Sequence, residues 1–260
     1  MPYEGYLDGN FNTIDYLRKS LVDKSSGVDL PSAVIVETIQ CEGGVNVASI
    51  EWLKGLEQVC RDLDILLIID DIQVGNGRTG RFFSFEEAGL NPDMVLLSKS
   101  IGGGLPLSLV LMKPELDVWK PGEHTGTFRG NNLAFVAATV ALSYWEDDQL
   151  SEAVFKKSKI LREELEKFVE EFPELRMKVR GRGLIFGLEL PNNGMAKGVS
   201  REAFNNGLII EVAGAEDNVL KFLPPLIIEE ELLCRGLENI KTSLQSVLNK
   251  KEPLMVGGIK

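Results

Sequence analysis

Short apolar runs alternate with a helical pattern in the first half of the chain, and this alternation constrains the fold most strongly. Residues 33–37, 65–69, 94–97 and 107–112 have the composition of buried strands, and residues 50–60 repeat apolar side chains at helical spacing. Strands that alternate with helices are typical of a mostly parallel sheet covered on both faces. We therefore predict an α/β fold for this part of the chain.

The second half changes in character and predicts a smaller α+β domain. A long charged helix spans residues 150–172 and ends at Pro173, and its inward side is predicted to carry Phe155, Leu161, Leu165, Phe168 and Phe172. Short strands are expected at 184–190, 208–212 and 219–223, followed by a helix at 229–248. We predict an incomplete large domain at 1–145, a small domain at 146–250 and a tail at 251–260.

Composition excludes several classes of function. A net charge of −11 argues against nucleic acid and against anionic membrane surfaces as partners. The three cysteines are widely spaced, which indicates reduced thiols of a cytoplasmic protein and not a disulfide framework. No apolar run approaches transmembrane length, and a single histidine without clustered cysteines makes a metal site unexpected.

Lys99 carries the strongest chemical signal in the sequence. It follows the apolar residues 94–97 and precedes the glycine turn 102–104, while Asp70 and Asp71 close the apolar residues 65–69. A lysine amine can hold pyridoxal phosphate as a Schiff base, and an acid at a strand end can pair with the pyridine nitrogen of that cofactor. An ordinary surface lysine is the alternative, and only the accompanying motifs argue against it.

Two glycine-containing segments allow other interpretations. Residues 75–80 match the G-x-G-x-x-G pattern of dinucleotide-binding loops, but the neighbouring Asp70 and Asp71 would repel a pyrophosphate, and no acid-ended strand follows at the required distance. Residues 37–44 follow the first strand and carry two acids beside two glycines. That segment is equally compatible with an acidic turn and with a ligand-binding loop at a strand end.

Residues 121–132 are rich in glycine and small hydroxyl side chains just before a predicted helix at 131–145. Hydroxyl groups and exposed amides near a helix start are suited to binding phosphate. His124 lies in this segment, and a lone histidine more often completes a local hydrogen bond than takes part in chemistry. We assign it no catalytic role.

Taken in order, these motifs resemble those of class III, fold-type-I, pyridoxal-phosphate-dependent aminotransferases. The resemblance covers residues 31–248 and rests on the aspartate-bearing segment 69–80, the lysine segment 97–100 and the threonine loop 125–132. Within the family, residues 119–132 and the Asp70-Asp71-Ile72-Gln73 variant are most similar to the diaminobutyrate branch of ectoine biosynthesis. That branch transfers an amino group between L-2,4-diaminobutyrate (or aspartate 4-semialdehyde) and 2-oxoglutarate (or glutamate).

The resemblance implies specific roles for five residues in cofactor binding. Lys99 would form the Schiff base with the cofactor and shuttle the proton during transamination. Asp70 would pair with the pyridinium nitrogen, Ile72 would press on one face of the ring, and Gln73 would hydrogen-bond the phenolic oxygen. Thr127 would reach the phosphate of the cofactor in a neighbouring subunit, which implies a homodimer or a higher homo-oligomer.

The resemblance also implies a substrate site with two departures from the family pattern. Glu42 would lie near the substrate and orient its amine or screen a basic side chain. Many relatives carry an arginine that binds a substrate carboxylate where this chain has Lys221, and lysine offers a point charge without the bidentate fork. Cys41 replaces a usual glycine and is expected to crowd the loop that carries Glu42.

Family members are longer than this chain, and the part that would precede Tyr3 carries further cofactor contacts and part of the sheet. We therefore expect the sequence to be the C-terminal part of a longer enzyme that acts on amino acids and 2-oxo acids. Three alternatives remain open: an ω-aminotransferase for ornithine, acetylornithine or 4-aminobutyrate, a non-catalytic dimerisation fragment, and a nicotinamide-dependent oxidoreductase supported by the glycine pattern alone.

Overall fold

The computed structural model describes residues 1–7, 9–127, 129–191 and 194–251 and divides into two compact units. Unit 1 comprises Met1–Thr38, Ala48–Asn76 and Arg81–Glu146. Unit 2 comprises Ile39–Val47, Gly77–Gly80 and the chain from Asp147 onward. Two short segments of the first half thus belong to unit 2. That residues 1–145 form a large cofactor-binding domain and residues 146–250 a small C-terminal domain stays a prediction.

Six α-helices and ten strands follow one another along the described chain. In order they are α1 (Thr13–Val22), β1 (Ala33–Val36), β2 (Ile39–Gln40), β3 (Asn46–Val47), α2 (Ile50–Asp62), β4 (Leu66–Asp70), β5 (Met94–Leu97), β6 (Leu109–Met112), α3 (Asn132–Ser143), α4 (Gln149–Glu171), β7 (Lys178–Arg182), β8 (Ile185–Glu189), α5 (Met195–Asn205), β9 (Glu211–Ala213), β10 (Val219–Phe222) and α6 (Glu230–Lys251). The predicted tail, apart from Lys251, lies outside the described residues.

Unit 1 is built on a four-stranded sheet in the order β1-β4-β5-β6. The first two pairings are parallel, and β6 runs antiparallel to β5. In the parallel register Asp70 pairs with Leu96, so that the carboxyl ends of β4 and β5 meet at one edge of the sheet. The predicted α/β fold with a mostly parallel sheet is confirmed.

The sheet of unit 1 buries one face and leaves the other partly open. Leu67, Ile69 and Leu97 are almost completely buried in the cluster that contains the apolar side of α2. On the opposite face Ile68 and Leu96 are only half-buried, and Ile35 is exposed. The prediction that both faces are covered is therefore wrong for the described residues, because α1 and α2 supply apolar cover to one face only.

Helix α3 is apolar around most of its circumference but is mainly exposed. Its exposed apolar side chains are Leu133, Phe135, Val136, Val140 and Leu142. A contiguous apolar surface of this kind is typical of an interface with another segment of polypeptide. None of the described helices combines the length and the apolar character that crossing a bilayer requires.

Unit 2 is a small α+β structure around a four-stranded antiparallel sheet in the order β7-β8-β10-β9. Its core combines apolar residues of α4, α5 and α6 with the side chains of Leu220 and Phe222 from the inner strand β10. Alternation along β10 therefore directs Val219 and Lys221 to the other face of the sheet. That face carries the short β2–β3 hairpin, which pairs Ile39 with Val47.

The structure corrects several predicted elements of unit 2. The strand expected at 208–212 begins only at Glu211, and Phe155 of α4 is 45% exposed instead of facing the core. Strand β7 and helix α5 were not predicted, because β7 alternates charged residues with valine and glycine, and α5 is short and contains Gly198. The buried residues of α5, which are Met195, Ala196, Val199 and Ala203, do recur at helical spacing, so that a signal for this helix was present in the sequence and was missed.

Asp93 joins three elements of unit 1. Its buried carboxylate accepts hydrogen bonds from the backbone N–H of Leu67 at 2.8 Å, from Arg61 of α2 at 2.7 Å and from Lys113 after β6 at 2.8 Å. Burial alone would raise the pKa of Asp93, but these three donors outweigh it and lower the pKa from 3.8 to about 2. The charged form is thus favoured in the folded protein.

We expect Asp93→Asn to destabilise the protein by about 2 kcal/mol at neutral pH. Because the folded-state pKa is depressed, this contribution is present above 3.8 and disappears as the pH falls to about 2. Urea unfolding at a series of pH values should therefore show a shallower acid loss for the variant than for the wild type. The exposed Asp117→Asn variant is the control, and an acid profile of Asp93→Asn that parallels the wild type would contradict the assignment.

Candidate active site

Lys99 lies at the carboxyl end of β5, on the first residue of a short 3₁₀ turn that spans Lys99–Gly102. Its backbone adopts φ 52°, a left-handed conformation that is uncommon for a residue other than glycine. The side chain is exposed, and Nζ donates a hydrogen bond to Oε1 of Gln73 at 2.7 Å. The structure therefore brings a lysine amine to the loop that follows β4.

Asp70 ends β4 at the same edge of the sheet. It pairs in register with Leu96, three residues before Lys99, and its Oδ1 accepts a hydrogen bond from the backbone N–H of Ile72 at 3.1 Å. The Asp70 and Ile72 side chains are half-buried, as is that of Gln73. Four of the predicted residues thus share one strand-end edge of unit 1, because parallel strands place their carboxyl ends together.

Asp71 supports this edge from the interior. It is fully buried, its carboxylate accepts hydrogen bonds from the backbone N–H (3.0 Å) and the hydroxyl of Ser84, and that hydroxyl accepts one from Thr38 at 2.6 Å. The backbone N–H of Gly75 donates to the Asp71 carbonyl at 3.0 Å. A side chain at Gly75 would lie 2.7 Å from that carbonyl, so the loop can close onto Asp71 only with glycine. Sequence reasoning did not identify Ser84 or Thr38.

A cavity of about 970 Å³ opens beside Lys99 in unit 1. Its wall includes Ser98, Arg129 and Asn131, together with Trp119 and His124, whose rings stack with centroids 4.4 Å apart. Hydroxyl, guanidinium and amide groups therefore share the cavity with the lysine. The sequence analysis gave His124 no role, and only the structure reveals that its ring lines this space.

Thr127 belongs to the exposed connection before α3. Among the described residues it makes no hydrogen bond with Asp70, Gln73 or Lys99, and it does not line the cavity beside Lys99. An exposed hydroxyl is consistent with a ligand bound by another subunit. The role predicted for Thr127 stays a prediction.

The two predicted substrate residues, Glu42 and Lys221, meet within unit 2. Lys221 Nζ lies 2.6 Å from Oε1 of Glu42, and Oε2 of Glu211 lies 3.2 Å away on the other side. The Lys221 side chain is only 2% exposed, whereas both glutamates are largely exposed. Burial lowers the pKa of Lys221, but hydrogen bonds from the ammonium to both carboxylates outweigh it and raise the pKa. Lys221 is therefore charged.

The β2–β3 hairpin holds Glu42 over Lys221. The Glu42 carbonyl accepts a hydrogen bond from the backbone N–H of Gly214 at 3.0 Å, and the Gly44 carbonyl accepts one from Arg180 at 2.9 Å. Cys41 is buried, and its carbonyl accepts the backbone N–H groups of Gly44 and Val45 at 3.2 Å each. The turn thus accommodates the Cys41 side chain in a buried position. The sequence had predicted that this side chain crowds the loop that carries Glu42.

The glycine pattern at residues 75–80 has a structural role. A side chain at Gly80 would overlap the ring of Phe155, and the Gly80 carbonyl accepts a hydrogen bond from Ser151 at 2.7 Å. The Arg78 guanidinium donates to the carbonyls of Leu184 and Pro224, and burial lowers its pKa to about 10. Gly80 and Arg78 thus serve packing and hydrogen bonding within unit 2, which favours a structural role for this pattern over a dinucleotide-binding loop.

Residues 15–244 match the sequence profile of the family described as aminotransferase class III, and the chain belongs to that family. The resemblance inferred from the motifs is confirmed. A relative from Wolinella succinogenes, named diaminobutyrate–2-oxoglutarate transaminase, is 66% identical over 255 residues, which is 98% of this chain and 60% of the relative. The chain thus spans about 60% of the length of this curated relative.

Solved structures of aminotransferases share the fold. N-acetylornithine aminotransferase from Stenotrophomonas maltophilia is 35% identical with a TM-score of 0.75, and the match covers 85% of this chain and 58% of that one. Ornithine aminotransferase from Toxoplasma gondii, described with partial occupancy of pyridoxal phosphate at its active site, is 34% identical with a TM-score of 0.77. That match covers 84% of this chain and 51% of the other. The predicted fold-type-I architecture is confirmed by these similarities.

Proposed function

We propose that this chain forms the greater part of a diaminobutyrate–2-oxoglutarate aminotransferase that uses pyridoxal 5'-phosphate. The observation that carries the proposal is the hydrogen bond from Lys99 to Gln73 at 2.7 Å, beside the strand-end Asp70. The names of the relatives support the substrate assignment, since the diaminobutyrate transaminase is 66% identical and the acetylornithine and ornithine enzymes are 34–35% identical.

The residues at this edge of unit 1 fit pyridoxal phosphate. When bound, that cofactor supplies a ring that accepts the electron pair released as the C–H bond at the substrate's reacting amine-bearing carbon breaks. Lys99 offers an exposed primary amine to hold an aldehyde covalently and then to carry a proton. Asp70 offers a carboxylate that keeps a ring nitrogen protonated. Gln73 would hydrogen-bond the phenolic oxygen, and Ile72 offers an apolar side chain to one ring face.

The substrate would be held by the pair of charged residues in unit 2. Lys221 carries the positive charge that attracts a carboxylate, and Glu42 carries the negative charge that attracts an ammonium group. Lys221 can therefore pair with the carboxylate of an amino acid or a 2-oxo acid, and Glu42 can pair with the ammonium group of an amino acid. Small amino acids and 2-oxo acids are therefore the substrate class that we assign.

We further propose that the functional protein is a homodimer or a higher homo-oligomer in the cytoplasm, with Thr127 contacting the cofactor phosphate of a neighbouring subunit. The exposed apolar side chains of α3, among them Leu133 and Val136, support an interface in this part of unit 1. The Thr127 hydroxyl is exposed and lies on the connection that leads into α3.

The proposal is tested by supplying the chain with pyridoxal phosphate and 2-oxoglutarate and measuring glutamate formation by NMR. We expect L-2,4-diaminobutyrate to react at least about tenfold faster than L-ornithine, because one additional methylene in a fitted pocket costs about that factor. Lys99→Ala serves as the control for the uncatalysed reaction with free cofactor. Equal or faster rates with ornithine would favour an ω-aminotransferase of the ornithine type.

A further inference from the structure

The buried ammonium of Lys221 has two carboxylate partners. Lys221 lies on β10 and pairs in register with Glu211 of the edge strand β9. Nζ is 3.2 Å from Oε2 of Glu211 and 2.6 Å from Oε1 of Glu42, which comes from the β2–β3 hairpin. One partner is thus fixed by the sheet, and the other is carried by a turn.

The three charges do not cancel. One ammonium and two carboxylates give this cluster a net charge of −1, so that removing either glutamate leaves a neutral pair and not a free cation. The Glu42 side chain is 69% exposed, and moving it into water therefore costs little. An incoming carboxylate that displaces Glu42 would still find the positive charge of Lys221 neutralised by Glu211.

We propose that Glu211 determines specificity at this site: it weakens the hold of Lys221 on a second substrate carboxylate and favours a substrate end that carries an ammonium group. This inference rests on the proposed function, in which Glu42 and Lys221 face the substrate. Glu211 acts through Lys221 and is a positioning residue. Its effect is to bias the site towards a diamino acid over a dicarboxylate.

Lys221 and Glu211 also border a cavity on the core side of the unit 2 sheet. Both residues line a cavity of about 340 Å³ in unit 2, whose wall is otherwise apolar. The apolar lining residues include Leu208, Phe222 and Leu233. Because Phe222 and Lys221 point to opposite faces of β10, this apolar space is separate from the ammonium and its two carboxylates, and the role proposed for Glu211 depends on charge alone.

The experiment compares two probes of equal length and opposite charge, glutarate and 1,5-diaminopentane, on the full 260-residue chain without cofactor. Binding is followed by NMR through the ¹⁵N-labelled side-chain resonance of Lys221, which is assigned by its loss in Lys221→Arg. The variants are Glu211→Gln, which removes the charge, and Glu211→Asp, which keeps the charge on a shorter side chain. Glu216→Gln is the matched control, because Glu216 is exposed in the β9–β10 connection.

We expect Glu211→Gln to bind glutarate about fivefold more tightly and 1,5-diaminopentane about fivefold more weakly than the wild type, the range of a partly exposed ion pair. The dissociation constants of Glu211→Asp should lie between those of the wild type and those of Glu211→Gln. The dissociation constants of Glu216→Gln should match those of the wild type. A purely structural role of Glu211 would move both dissociation constants in the same direction. Changes in the same direction, unchanged constants in Glu211→Gln, or binding of neither probe to any of these proteins overturn the proposal.

This measurement is independent of the test of the proposed function. Glutamate formation depends on Lys99 in unit 1, whereas probe binding is read at Lys221 in unit 2. A chain that fails to transaminate but shows opposite shifts for the two probes would refute the proposed activity and keep only the charge preference that Glu211 gives to the cluster. A chain that transaminates, but whose Glu211→Gln variant binds both probes as the wild type does, would support the proposed activity and refute the role of Glu211.

Discussion

Replacing Lys99 by alanine is expected to abolish covalent attachment of pyridoxal phosphate and to lower the rate of transamination by about 10⁴-fold or more. In the proposed function the Lys99 amine would both hold the aldehyde of the cofactor and carry the proton, and the amide of Gln73 cannot replace it in either task. The loss should appear in the visible absorbance of the chain with added cofactor and in the rate of glutamate formation.

Lys120→Ala is the matched control for this experiment. Lys120 is an exposed lysine of unit 1, and its removal should leave both readouts unchanged. A Lys99→Ala variant that keeps the absorbance and the rate of the wild type would show that another lysine attaches the cofactor. Urea unfolding of both variants should match the wild type, since neither side chain is buried.

Asp70→Asn is expected to slow transamination by about 10²–10³-fold with little change in the free energy of unfolding. In the proposed function the carboxylate of Asp70 would keep a ring nitrogen of the cofactor protonated, and an amide cannot do this. The neighbouring residue gives a contrasting result, because Asp71 is fully buried and accepts hydrogen bonds from Ser84. Asp71→Asn should therefore destabilise the protein by about 1–3 kcal/mol.

Steady-state rates and urea unfolding, measured on the same preparations, separate the two aspartates. Rates should be compared at a temperature where both variants are folded. If Asp70→Asn were as active as the wild type while Asp71→Asn lost cofactor chemistry in its folded state, the roles assigned to the two residues would have to be exchanged.

The strand-end edge of unit 1 that carries Asp70 and Lys99 could be predicted from the sequence, because each of its strands is recognisable from its own run of apolar residues. The predicted strand at 94–97 is reproduced as β5, and parallel pairing with β4 then brings Asp70 and Lys99 to one edge. The buried network behind Asp71 could not be predicted. Ser84 and Thr38 lie far from Asp71 in sequence, and no periodic signal links distant polar residues.

The charge cluster of unit 2, which consists of Lys221, Glu42 and Glu211, could be predicted from the sequence only in part. The segment 37–44 that carries Glu42 was a possible ligand-binding loop from its residues, but only the family resemblance linked Glu42 with Lys221, 179 positions away. Glu211 was missed although the strand predicted at 208–212 includes it, because the sequence does not give the pairing of that strand with β10. The antiparallel register of β9 with β10 makes it a direct neighbour of Lys221, and such a register depends on tertiary packing.

Borohydride trapping tests most directly whether Lys99 binds pyridoxal phosphate covalently. The wild-type chain is incubated with pyridoxal phosphate and reduced with borohydride, and the modified peptide is mapped by mass spectrometry. We expect a single pyridoxyl group on Lys99, and less of it in Asp70→Asn, where the ring nitrogen would lack its carboxylate partner. Modification spread evenly over the exposed lysines, or a folded chain with no modification at Lys99, would contradict this expectation.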